Sequence, residues 1–189
     1  MAKLHFNYAA MNSGKSTDLL RKAFSYKERG HEVLYLTSSL DTRYHEGKIT
    51  SRIGIESDAF VIKPNSLFEL DIFYDEISRS DYKAVFVDEC QFLTKEQVDK
   101  LAEIVDNLNV DVFCYGLRTD FTGNLFEGSK HLIEVADELE DLSSICDCGN
   151  KAIMTARLVS STEQVLIGGN EAYKSMCRKC HKQHMRSKT

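Results

Sequence analysis

The chain has 189 residues, is 42% hydrophobic and 28% charged, and carries a net charge of −5. That length suits one good core with a small appendage, and the acidic balance argues against broad, sequence-independent nucleic-acid binding, which needs a large positive patch. No apolar run approaches the ~20 residues of a membrane span and the first residues carry no signal-peptide apolar stretch, so the expectation is a cytoplasmic protein that engages neither membrane nor nucleic acid.

Lys3 to Tyr8 is a short β-prone run, and Ala9-Ala10-Met11-Asn12-Ser13 reads as a turn. From Lys15 the pattern becomes helical, with Leu19, Leu20, Ala23 and Phe24 on one face and Gly30 as a stop. Between strand and helix stands Ser13-Gly14-Lys15-Ser16, the core of a phosphate-binding P-loop. The loop amides and the helix N-terminus present N–H groups and a partial positive charge to phosphate. In such a loop Lys15 reaches the β and γ phosphates and the Ser16 hydroxyl holds Mg²⁺. Ala9 stands where the pattern has its first Gly, which narrows the backbone options there.

Glu32 to Leu36 predicts a second strand and Ala59 to Ile62 a short third. Ser66 opens a helix, with Glu69 as its capping-box partner and Leu70, Phe73, Tyr74 and Ile77 as its buried face. Tyr82 to Val87 is a strand whose unbroken apolar run fits burial on both faces. It ends in Asp88-Glu89. A P-loop enzyme needs an acid at the end of a neighbouring strand to bind Mg²⁺, directly or through water, which suits Asp88. Glu89, one residue on, is the candidate general base. Thr94 caps the next helix with Gln97 as box partner and Leu93 and Val98 as a staple; Val98, Leu101, Val105 and Leu108 keep its period. Val110 to Tyr115 is another buried strand. The alternation predicts an α/β fold: a P-loop NTPase-type, mostly parallel sheet with helices on both faces. Ligands then sit beyond the strand carboxyl ends, where the P-loop, Asp41-Thr42-Arg43, Asp88-Glu89 and Leu117-Arg118 share one rim.

The last quarter of the chain is different. Cys146-Asp147-Cys148 and Cys177-Arg178-Lys179-Cys180 are two close pairs among six cysteines. A reducing cytosol disfavours disulfides, so the pairs suggest a tetrahedral Cys₄ zinc site, with His181 as a possible substitute ligand. The stretch between them has too few apolar residues for a core of its own, and a metal would supply folding energy. Cys90 and Cys114 read as buried thiols. The expected division is 1–141 for the α/β nucleotide-binding part and 142–189 for a small zinc-binding β appendage. Gly116 to Gly128 fits either a substrate lid or an apolar connector, and Val165 to Gly169 either a ligand-approaching strand or a simple hairpin. The basic tail from Arg178 reads as a solvated terminus.

Taken in order, Met-Asn-Ser-Gly-Lys-Ser-Thr at 11–17, Asp-Thr-Arg-Tyr at 41–44, Asp-Glu-Cys-Gln-Phe at 88–92, Gly-Leu-Arg-Thr-Asp-Phe at 116–121, the paired cysteines and Ile-Gly-Gly-Asn-Glu-Ala-Tyr at 167–173 resemble the type II, cytosolic-type thymidine kinases. The resemblance runs from about Lys3 to Cys180, and Ala9 and the Cys-x-Cys pair resemble the bacterial branch. It implies transfer of the ATP γ-phosphoryl to the 5'-hydroxyl of thymidine, with deoxyuridine also accepted, in deoxynucleotide salvage. Glu89 is then the base. ATP and its phosphates fall to Ala9, Ala10, Met11, Asn12, Ser13, Gly14, Lys15, Ser16, Asp88, Glu89, Cys90 and Gln91, with Mg²⁺ on Ser16 and Asp88. Arg43 stabilises the transferring phosphoryl, with Asp41 near the metal's water shell. The nucleoside pocket falls to Met11, Phe92, Leu117, Phe121, Phe126 and Tyr173, covered by a lasso loop that includes Gln164, Val165, Leu166, Ile167 and Gly168. Cys146, Cys148, Cys177 and Cys180 hold the structural Zn²⁺ that anchors the lasso. A homotetramer and feedback inhibition by dTTP are also implied. Two other classes fit parts of the chain: a P-loop ATPase that holds nucleic acid on a zinc ribbon, which the acidic charge opposes, and a non-catalytic nucleotide-binding regulator.

Overall fold

A computed structural model of the chain describes residues 1–40, 47–51, 53–142, 144–160 and 171–187. The opening unit forms as read: strand β1 (Leu4–Ala9), a turn, and helix α1 (Lys15–Lys27). Strand β2 (Glu32–Ser38) is followed by an antiparallel hairpin of β3 (Lys48–Thr50) and β4 (Glu56–Asp58), then by β5 (Phe60–Ile62). Helix α2 (Phe68–Arg79), β6 (Tyr82–Asp88), a 3₁₀ turn (Cys90–Phe92), α3 (Lys95–Leu108) and β7 (Asp111–Leu117) come next, and α4 (Glu127–Val135) and β8 (Glu138–Asp141) close this part. Six strands among the described residues make one sheet in the order β5-β2-β6-β7-β1-β8, and every pairing in it is parallel.

The composition of β6 follows from its place in that sheet. Ala84 and Phe86 face α1, whose Leu19, Leu20 and Ala23 pack with Tyr35, Phe113 and Tyr115. Val85 and Val87 face the opposite layer, where α2, α3 and α4 bring Leu70, Phe73, Leu101, Ile104 and Leu132 against Leu4, Phe6 and Leu34. A strand covered on both faces has no wet side, so its apolar run is continuous. Parallel pairing also brings all the strand carboxyl ends to one rim, where Ala9 registers with Leu117 and Thr37 with Asp88.

Several local expectations change. Phe24 is 59% exposed. The stacked rings of Phe86 and Phe113, with Tyr115, fill the space beneath α1, and the helix meets them through smaller side chains. Helix α2 starts at Phe68, and the capping box at Ser66 does not form: the Ser66 hydroxyl bonds the Glu69 carboxylate directly at 2.7 Å. The carbonyls of Lys63 and Ser66 are instead drawn to the Gln97 amide of α3, at 2.9 and 2.7 Å. Gln97 also completes the capping box with Thr94, as its spacing predicts. Within the glycine-rich stretch, α4 is a helix that lies directly on the 3₁₀ turn. A Cβ at Gly128 would come within 2.5 Å of the Cys90 carbonyl, so only glycine permits that approach.

The remaining residues form two small antiparallel pairs, β9 (Ser144–Ile145) with β10 (Lys151–Ala152) and β11 (Met154–Arg157) with β12 (Tyr173–Met176), followed by α5 (Arg178–Ser187). Their shared core is Cys146, Ala152 and Cys177, with Met176 and Cys180 against it. The tail is thus a helix, not a loose end: His181 bonds the Phe121 carbonyl at 2.8 Å and His184 the Arg157 carbonyl at 2.9 Å. No described helix is long and apolar enough to cross a membrane.

Candidate active site

The phosphate loop hangs between the end of β1 and the start of α1. Ala9 is the last residue of β1, with ordinary extended backbone, and this is why Ala serves where the pattern has Gly. The left-handed turns fall further on, at Asn12 (φ 63°) and Gly14 (φ 76°). Asn tolerates that region better than most side chains, and Gly enters it at no steric cost. No described side chain caps α1, so its first amides are left facing the loop. The Lys15 side chain is buried and folds back across the loop to the Ala10 carbonyl at 3.1 Å, and the Ser13 hydroxyl donates to the same oxygen at 2.9 Å. Lys15 and the amides together give this acidic protein a local positive field.

Across the loop, at the end of β6, the Ser16 hydroxyl donates to Asp88 Oδ2 at 2.9 Å. Burial, with the Glu89 carboxylate beside it, pushes Asp88 up to about 7. A buried carboxylate and a hydroxyl side by side are hard oxygen donors, which fits a Mg²⁺ ion carried in with phosphate. Glu89 is 6% exposed and its backbone is left-handed, at φ 53° and ψ 37°. A non-glycine residue held there costs about 1–3 kcal/mol, and such strain gathers at functional sites. The turn directs Glu89 away from the strand line that Asp88 follows.

Gln91 explains how the Glu89 carboxylate is held. Its amide nitrogen donates to Glu89 Oε2 at 2.5 Å, and its amide oxygen accepts from the Leu117 N–H at 3.0 Å. Gln91 is 2% exposed, so both ends of its amide are used inside the protein. Gly116 makes this possible: a Cβ there would lie 2.6 Å from both Gln91 Oε1 and Cys90 Sγ. The Gln91 side chain thus ties the Glu89 carboxylate to the end of β7. The Cys90 thiol is fully buried against Cys114, and burial pushes its pKa well up.

Met11, Leu117, Phe126, Ala172 and Tyr173 form one buried apolar cluster, with Phe92 packed against it and edge-on to Phe126 at 6.0 Å. Five of the six wall residues expected from the sequence thus meet. Phe121 stands outside the cluster: its ring lies 3.9 Å under the Arg157 guanidinium, and Arg157 bonds the Tyr173 hydroxyl at 2.8 Å. It supports the wall from behind. Arg157 lies in no motif read from the sequence; Ala172 falls inside the 167–173 motif without being assigned to the wall, and the Gln91–Glu89 contact carried no spacing signal. Asp41 and Arg43, and Gln164, Val165, Leu166, Ile167 and Gly168, lie outside the described residues.

The four paired cysteines converge. The sulfur atoms of Cys146, Cys148, Cys177 and Cys180 lie within 4.8 Å of one another, and those of Cys148 and Cys177 are 3.6 Å apart. Tetrahedral Zn–S bonds of about 2.3 Å would set the sulfurs roughly 3.8 Å apart, so the cluster fits zinc with little adjustment. The close C-x-C spacing works because the chain turns at once: Gly149, at φ 82°, donates to the Cys146 carbonyl at 2.8 Å. The Asn150 backbone and side-chain amides lower the Cys148 thiol to about 6, whereas hydrogen bonds with Cys177, Cys148 and Cys146 raise Cys180 to about 12. His181, bound to Phe121, is not part of the cluster.

The comparisons with known proteins agree with this geometry. The thymidine kinase family model matches residues 2–181. A thymidine kinase of Shewanella oneidensis is 50% identical over 185 residues, which cover 95% of this chain and 96% of that protein. Thymidine kinases of Vibrio parahaemolyticus and Yersinia pestis are each 47% identical, over 97% and 99% of this chain and 98% of each relative.

Proposed function

The chain belongs to the thymidine kinase family, and from that premise we propose that it transfers the γ-phosphoryl group of ATP to the 5'-hydroxyl of thymidine, giving dTMP and ADP. The observation that carries the reading at residue level is the placement of Glu89. Its carboxylate is held by Gln91, which also bonds Leu117 of the apolar cluster, and it follows directly on Asp88, which bonds Ser16. A hydroxyl acceptor needs a base on one side and a donor phosphate on the other, and these contacts support that reading.

The loop amides and Lys15 bind and orient the phosphates. Ser16 and Asp88 would hold Mg²⁺, which neutralises charge on the phosphates when bound. Glu89 takes the proton of the 5'-hydroxyl. The apolar wall orients the nucleoside and keeps water from the donor phosphate, without which the enzyme would hydrolyse ATP. Arg43 as phosphoryl stabiliser, Asp41 near the metal's water shell and the 164–168 segment as a cover belong to this reading on the family resemblance alone. So do dTTP inhibition, a homotetramer, a cytoplasmic setting and the division at 141/142. Zn²⁺ in the cysteine cluster would tie β9–β12 and α5 together. Deoxyuridine lacks only the 5-methyl group, and one methyl in an apolar pocket is worth about 1–3 kcal/mol, so it is a poorer substrate and not an excluded one.

The test is transfer of labelled γ-phosphate from ATP to a panel of nucleosides with Mg²⁺ present. Labelled dTMP, with deoxycytidine and purine nucleosides poor, is the expected result. Free phosphate alone would overturn the reading in favour of an ATPase.

A further inference from the structure

Thr155 on β11 and Ser175 on β12 are direct register partners, and both are buried. Their hydroxyls close on a single residue of the phosphate loop. The Met11 N–H donates to Thr155 Oγ1 at 3.1 Å, and the Ser175 hydroxyl donates to the Met11 carbonyl. These bonds span 144 and 164 residues of sequence. The Met11 side chain packs on Ala172 and Tyr173, which belong to the same C-terminal part of the chain. The N–H of this buried loop residue is therefore satisfied by β11, and its carbonyl accepts from Ser175 of β12 as well as from the loop's own Ser13 hydroxyl at 3.4 Å.

The position matters because Asn12, the next residue, holds a left-handed conformation at φ 63°. Such a residue persists only where its surroundings over-determine it. The orientation of the Met11 peptide sets where the following amides point, and those amides are what a phosphate meets. We propose that Thr155 and Ser175 are positioning residues that clamp the phosphate loop, so that the β11–β12 hairpin sets affinity for the donor nucleotide and not only the shape of the acceptor pocket. The proposal rests on residues 9–16 being the donor-phosphate loop. It assigns to the appendage a role on the ATP side, whereas the family resemblance gives it one on the thymidine side.

The experiment compares Thr155→Val, Ser175→Ala and the double variant with the hydroxyl-keeping variants Thr155→Ser and Ser175→Thr. ADP binding is measured by calorimetry without thymidine, and KM for ATP, KM for thymidine and kcat are measured separately. The thermal midpoint and metal content report whether the hairpins stay folded. Each lost hydroxyl is expected to weaken ADP binding roughly three- to tenfold and to raise KM for ATP in step, while the hydroxyl-keeping variants stay near wild type. ADP affinity and KM for ATP within twofold of wild type in the folded double variant would overturn the clamp. Equal losses in the hydroxyl-keeping variants would also overturn it. Should the double variant lose its fold, Ser175→Ala against Ser175→Thr decides by the same numbers. A wild-type protein that binds ADP yet phosphorylates no nucleoside would sink the proposed function and leave the clamp standing.

Discussion

The two parts of this chain hold themselves together by different physics. The parallel sheet is sandwiched between α1 on one face and α2, α3 and α4 on the other, with fully buried Phe6, Leu36, Val85, Phe86 and Leu101. The part after β8 has two-stranded pairs, a core of Cys146, Ala152 and Cys177, and four converging sulfurs. The first part is stabilised by apolar area, which is spread over many residues. The second concentrates its stabilisation in one cluster of thiols. The catalytic candidates Lys15, Ser16, Asp88 and Glu89 all belong to the first part, while Tyr173 and Ala172 join the second part to the apolar cluster of Met11, Leu117 and Phe126. The catalytic candidates thus stand on a hydrophobic scaffold, and the smaller part gathers around four cysteines that could hold a metal.

The sharpest way to break that comparison is to remove the metal proposed for the four thiols. Chelation, or Cys177→Ser, is expected to abolish hydrogen-exchange protection in β9–β12 while β6 and β7 keep theirs. Equal loss in both parts, or no loss in either, would erase the distinction. The next effect is chemical: Glu89→Gln should lower kcat by about 10²- to 10⁴-fold while calorimetry shows ADP binding retained. An unchanged kcat would remove Glu89 as the base. A packing comparison comes third. Leu101→Ala should cost about 2–5 kcal/mol in urea unfolding, whereas Met176→Ala, in the thin core, should cost about 1 kcal/mol. Similar costs would mean that the small part relies on packing after all.

The smallest effect lies at His131, which ties α4 to α3 through Asp99 at 2.5 Å and reaches Glu134 at 2.9 Å. Burial alone would depress its pKa, but the hydrogen bonds to Asp99 and Glu134 outweigh it and the pKa is raised. His131 therefore contributes stability in full below the ordinary histidine value, and loses it as pH rises through the raised one. The Lys95 and His131 bonds lower Asp99, and the His131 bond lowers Glu134, so their share is present above the ordinary carboxylate range and is lost in acid. Raising pH from 6 to 8 should lower the wild-type Tm by a degree or two relative to His131→Gln, measured by scanning calorimetry. An identical pH dependence in the two proteins would show that the contact has no energetic consequence.

The elements that were legible in the sequence are those whose signal is local. The Thr94–Gln97 capping box, the unbroken apolar run of β6, the Gly14-Lys15-Ser16 turn and the paired cysteines each encode their structure within a few residues. The β3–β4 hairpin and β8 are too short to carry a period, and α4 hides behind a glycine, Gly128, that exists only because another backbone lies against it. Phe24 has the right spacing for a buried face, yet it is exposed because the layer beneath is already filled by rings from two strands. The Ser66 cap fails for a similar reason, since Gln97 from another helix takes the carbonyls of that segment.

By itself, the sequence determined the class of the fold, the phosphate loop, the acid pair at the end of β6 and the four thiols that could hold a metal, because chemistry at fixed spacing is a property of the chain. Only the tertiary structure decided that Gln91 bonds Glu89, and that Phe121 lies under Arg157 and outside the apolar cluster. It also decided that Thr155 and Ser175 reach Met11. Those relations join residues far apart in sequence. Each depends on which surfaces close packing brings together and which buried polar groups must then find a partner, and no residue on its own states either.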